Sequence, residues 1–159
     1  MTFYTRSRAI PFIVFPQTID NNYRGHRIAL WLFVPLVLLN LGIGFNSIFF
    51  THMVASSADG IPLDSFPPLA AQTVVKLFAL LGLSRLMIAL LCILIFVRYR
   101  AMIAFMYIVL LLQHLGGKFI IFYNSSPSVG TLTANIVNTL LVTLMVLGLI
   151  LSLWRSHDR

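Results

Sequence analysis

The stretch LFALLGLSRLMIALLCILIFVRYRAMIAFMYIVLLLQHLGGKFIIF, residues 77–122, decides the fold. It is almost continuous hydrocarbon, interrupted by Arg98-Tyr99-Arg100 and, inside the apolar parts, by Arg85, His114 and Lys118. One unbroken helix over residues 69–123 would be roughly 80 Å long, far beyond the ~30 Å thickness of a bilayer core. The sequence therefore predicts a turn at Arg98–Arg100 and two helices folded back on one another as antiparallel neighbours.

Two further apolar runs flank this pair, so that four candidate spans lie at about 28–50, 69–97, 101–123 and 131–154. Each approaches or exceeds the roughly 20 residues that cross a bilayer. Composition agrees: the chain is 59% hydrophobic and 9% charged, with mean hydropathy +0.95, far from the balance of a soluble domain. The first run follows some 27 residues that include Pro11 and Pro16. It is longer than a signal-peptide core of roughly 7–15 residues and no small-residue cleavage motif follows, so it reads as retained. No repeat, low-complexity tract or long linker divides the chain. The expected organisation is an interfacial amino-terminal segment at 1–27, one transmembrane domain at 28–155 and a short tail at 156–159.

Basic residues set the orientation. Arg6, Arg8, Arg24 and Arg27 precede the first run, Arg98 and Arg100 fill the second connection, and Arg155 and Arg159 follow the fourth. The first and third connections hold no Lys or Arg, and Asp59 and Asp64 lie in the first. The positive-inside rule then places both termini in the cytoplasm, and the fold class is an all-α, four-helix antiparallel transmembrane bundle. The net charge of +7 is explained by helix ends rather than by nucleic acid. Trp31, Trp154 and Tyr123 suit interfacial belts, and the aromatic, basic amino-terminal segment suits the inner headgroups. Ser65 is a candidate cap before Pro67 and Pro68.

Polar side chains fall in one layer. Counted from the outer helix ends at 1.5 Å per residue, Asn40 lies about 15 Å deep, Arg85 about 12 Å, His114 about 14 Å and Asn138 about 10 Å. Gln113 stands beside His114, and Lys118 lies one turn nearer the outer surface. Tyr107, Leu111, His114 and Lys118 share one helical face. An intramembrane arginine is costly and faces a polar cavity or a partner, yet all four acids, Asp20, Asp59, Asp64 and Asp158, fall outside the predicted hydrocarbon. Asn40, Asn138, Thr133 and Thr139 read as interhelical glue, and Gly42, Gly44, Gly116 and Gly117 as close-packing positions.

The sequence carries no nucleophile with an acid–base partner, no phosphate loop and no dinucleotide fingerprint. The single Cys92 excludes an intrachain disulfide. His26, His52 and His157 lie near or beyond the membrane surface, which argues against a haem pair with His114, and the scarcity of His and carboxylate argues against a metal site. Two readings remain. One is a non-catalytic membrane component, a homo-oligomer or a small subunit of a larger complex, in which Arg85 and the asparagines meet another chain. The other is a bundle that binds a quinone, a lipid or a small anion in an outward-opening cavity lined by Asn40, Arg85, Gln113, His114, Lys118 and Asn138. Four closely connected helices with both ends inside resemble, in hydrophobic profile, small bacterial membrane families such as the DoxX-like proteins. That resemblance implies a bacterial cytoplasmic (inner) membrane and carries no functional residue across.

The orientation is directly measurable. With Cys92 replaced by serine, a cysteine at Ser57 should react with an impermeant maleimide applied from outside, and one at Ser156 only after permeabilisation.

Overall fold

The computed structural model describes residues 20–23, 25–123 and 131–154, apart from the side chains of Ile121 and Phe122. Among the described residues the regular structure is helical, with no strand. Four helices are long and apolar enough to cross a membrane: α1 (Arg27–Phe49), α2 (Pro68–Arg98), α3 (Ile103–Tyr123) and α4 (Leu132–Leu153). The amino-terminal segment expected at the headgroups lies outside the described residues up to position 19.

Local chemistry explains the boundaries. His26 caps α1, its Nδ1 accepting the Ile28 N–H at 3.2 Å. Beyond Phe49 the chain makes a short turn of helix, Thr51–Met53, then a π-helical turn, Val54–Ala58. It reverses at Gly60, whose φ of 69° lies in the left-handed region that glycine enters without steric cost. Pro68 occupies the first turn of α2, where its missing N–H is of no consequence. Ser65 does not cap this helix, because its hydroxyl donates to the Pro62 carbonyl at 2.7 Å. A single 3₁₀ turn, Arg100–Met102, links α2 to α3. Thr131 caps α4, its Oγ1 accepting from Ala134 N–H at 3.3 Å while donating to the Ala58 carbonyl at 2.9 Å.

Packing is uneven. The most extensive contact is between α1 and α2; α1 also packs on α4, and α4 on α3. The consecutive helices α2 and α3 meet far less than those pairs do. The short connection joins them through one turn, while side-chain fit decides how far two helices stay together beyond it.

The core gathers toward one end of the bundle. Phe33 of α1 meets the Tyr107 ring edge-on at 5.2 Å and stacks on Phe96 at 6.2 Å. The Tyr107 hydroxyl donates to the Ala29 carbonyl at 2.8 Å, and Leu36, Val37, Cys92, Ile95, Ile103, Met106, Leu110, Leu141 and Met145 complete the buried set. Gly148 makes room for Tyr107, whose ring occupies the space a β-carbon would need. At the same end, Tyr23 donates to Ser152 Oγ at 3.1 Å, His26 N–H to the Leu151 carbonyl at 3.2 Å, and Ala101 N–H to the Asp20 carbonyl at 3.3 Å. Arg27, Arg98 and Arg100 consequently share this end, referred to below as the basic end.

Toward the opposite end, the α1–α2 contact depends on two glycines. A β-carbon on Gly82 would stand 2.6 Å from Ser47 Cβ, and one on Gly44 would stand 2.9 Å from the Leu86 nitrogen. Gly42, Gly116 and Gly117 behave differently, since nothing lies within 4 Å of their β-positions. Their assignment as close-packing positions is overturned; spacing along a helix does not say which faces another helix covers.

Gly82→Val should therefore destabilise the bundle by about 1–3 kcal/mol through overpacking. Gly116→Ala should be neutral or stabilising by up to about 1 kcal/mol through reduced chain entropy. Detergent-solubilised thermal unfolding of the two variants separates these outcomes.

Candidate functional site

The face of α3 that carries Tyr107, Leu111, His114 and Lys118 runs from the core to the surface. Tyr107 is fully buried, Leu111 and His114 are half-buried, and Lys118 is exposed. His114 thus lies where the packing thins. Its Nε2 is buried and has no hydrogen-bond partner among the described residues. Native proteins rarely leave such an atom unmatched, so it marks a place where a further group would be stabilised.

Arg85 of α2 is a second polar residue of this half of the bundle. It follows Gly82 by one turn on the side of α2 that faces the bundle, and it is half-buried. Its charge and that of Lys118 are both felt at the His114 imidazole. Arg85 also acts on Asp59, the residue that ends the π-helical turn after α1. Burial raises the Asp59 carboxyl above its ordinary 3.8, and the Arg85 charge opposes that rise. Among the described residues the two form no direct ion pair, so Arg85 keeps its hydrogen-bonding capacity while sensing a carboxyl nearby.

Asp59 is the candidate that sequence reasoning left out. Its position in a connection placed it outside the hydrocarbon, where it ends the π-helical turn and precedes the reversal at Gly60. The sequence signal was present in the Ala-Asp-Gly run, but nothing in it states where a turn aims the side chain.

The remaining candidates are dispersed. Asn40 is buried on α1, yet its amide donates to the Leu36 carbonyl of its own helix at 2.9 Å, not across to α2. Asn138 and Gln113 are half-buried and make no hydrogen bond among the described residues. Thr139 is exposed and bonds back to the Asn135 carbonyl at 2.8 Å, which corrects its assignment as interhelical glue. The equal depths of the four polar residues therefore do not amount to one connected layer. What is linked electrostatically is Asp59 with Arg85, and His114 with Arg85 and Lys118: two cations that act on one imidazole, and one carboxyl that acts on the arginine. Such a set attracts an anionic or carbonyl oxygen, which a guanidinium and an imidazole N–H can both bond. No group of three or more His, Cys, Asp or Glu converges among the described residues.

Comparison with protein-family models, curated proteins and solved structures finds no match to this chain in any of the three.

A double-mutant cycle over Asp59→Asn and Arg85→Gln, read by thermal unfolding, should give a coupling of about 0.2–1 kcal/mol, the range of solvated pairs. The coupling requires the carboxylate. It should be present at neutral pH and disappear as the pH falls through the raised Asp59 pKa.

Proposed function

We propose that this chain is a non-catalytic component of a bacterial cytoplasmic membrane, acting as a small subunit of a larger complex or as a homo-oligomer. In this reading the four helices alternate in direction as an antiparallel bundle in one transmembrane domain, with both termini and the basic end on the cytoplasmic side. The observation that carries it is the incomplete packing of α2 and α3. Leu80, Leu81, Leu83 and Met87 of α2 and Leu112, Leu115 and Phe119 of α3 are exposed, in the same half as Arg85. Lipid covers apolar side chains as well as protein does, so these residues alone do not require a partner. Arg85 does: a charged group at that depth is retained where a polar contact compensates it.

A second reading is favoured by His114. Its unmatched Nε2, within reach of the Arg85 charge, suits a small ligand, a quinone or an anionic lipid headgroup, entering from the non-cytoplasmic side between α2 and α3. Lys118, exposed one turn further out, would guide it inward by charge.

The two readings give different products. For the subunit reading, a photo-cross-linker at Met87 in native membranes should capture a protein of defined mass, and a strictly monomeric product would sink it. For the ligand reading, native mass spectrometry after mild extraction should show a retained small molecule. Arg85→Ala should weaken its retention about tenfold or more, the loss expected for one charge-assisted hydrogen bond.

A further inference from the structure

The weak contact between α2 and α3 has a second consequence at the basic end, far from Arg85. Between the carboxyl-terminal turns of α2 and the first turns of α3 lies a cleft of about 490 Å³, within the range of ligand-binding cavities. Its walls are Leu91, Leu94, Tyr99, Met102, Phe105 and Met106. Apart from the tyrosine hydroxyl these are hydrocarbon and thioether surfaces, and methionine side chains adapt readily to a flexible apolar guest. Leu91 and Leu94 remain 46% and 50% exposed, so the wall on the α2 side is open to whatever surrounds the helix.

Tyr99, one of the residues that line the cleft, is flanked in the chain by two arginines. Arg98, the last residue of α2, is exposed. Arg100 is held by its Nε, which donates to the Phe96 carbonyl at 3.0 Å, and its guanidinium lies 5.6 Å from the centre of the Phe96 ring. Arg100 is half-buried, and its two terminal nitrogens make no hydrogen bond among the described residues. Asp20 is the acid nearest in the chain path, its carbonyl bonded to Ala101 N–H, and its Oδ1 accepts from Asn22 N–H at 3.1 Å. The chain on either side of Tyr99 thus carries two positive charges. Tyr99, between the arginines, is of the residue type that settles at headgroup level.

An apolar slot that opens beside two arginines at the end of a membrane helix has the polarity of a lipid: tail first, anion at the surface. We propose that the α2–α3 cleft at the basic end binds one acyl chain of an anionic phospholipid, whose phosphate is held by Arg98 and Arg100. The proposal rests on the chain spanning a bilayer. It is independent of the Arg85–His114 region and of which face of the membrane the basic end meets.

The test uses the full chain in nanodiscs containing equal phosphatidylglycerol and phosphatidylcholine, released and weighed by native mass spectrometry. Phosphatidylglycerol should be retained preferentially, by about fivefold for each arginine, the ratio expected for a basic residue near an anionic surface. The Arg98→Gln, Arg100→Gln double variant should bring the two lipids to near-equal retention while its thermal unfolding stays close to that of the parent. Equal retention by the parent chain, or an unchanged preference in the double variant, overturns the proposal. A photo-cross-linking residue in place of Leu94 gives a separate reading without altering Arg98 or Arg100. Adducts to phospholipid support the site; adducts to residues 1–19 or to a second copy of the chain show another occupant and overturn it.

Discussion

The bundle depends on the fit around Tyr107. Between helices in lipid the hydrophobic effect supplies little, because the acyl chains are as apolar as leucine; what remains is close packing and a few hydrogen bonds. Tyr107 provides both. Its ring lies against Phe33 and on the bare backbone at Gly148, and its hydroxyl satisfies the Ala29 carbonyl. One residue of α3 thereby engages α1 and α4 together. Phe96 joins through Phe33, so α2 is tied to the same cluster.

Concentrating the fit at one end leaves the rest of the bundle to weaker contacts. Gly44 and Gly82 extend the close approach of α1 and α2 toward the opposite end. The Thr131–Ala58 bonds tie the start of α4 to the α1–α2 connection. Between α2 and α3 nothing comparable occurs. That asymmetry accounts for both regions of functional interest: Arg85 and His114 stand where helices are not sealed against one another, and the apolar cleft lies where the same two helices begin to part.

Much of the architecture is legible in the residues. Four apolar runs and the Arg98–Arg100 break dictate four spans, because the length that crosses a bilayer is fixed by its thickness and the rise of a helix. The face shared by Tyr107, His114 and Lys118 is likewise a matter of 3.6-residue periodicity. The glycines were harder: Gly44, Gly82 and Gly148 are contact positions and Gly42, Gly116 and Gly117 are open, although all six look alike in an apolar run. The asparagines mislead for a related reason, since depth along a helix can be counted but rotation cannot. Asn40, at a depth close to that of His114, spends its amide on its own helix.

What the sequence determined by itself is the membrane environment, the number of spans and the residues whose burial in hydrocarbon demands a partner. These follow from transfer free energies and helix length, which act on each segment alone. The tertiary structure decided which of those residues act on one another: it let the Arg85 charge reach Asp59 and His114, left Asn138 and Gln113 without hydrogen bonds among the described residues, and kept the α2–α3 contact small. Those outcomes depend on the relative rotation and separation of helices, and these are fixed by how Phe33, Tyr107 and three glycines fit together, a property of the assembled bundle that no single segment contains.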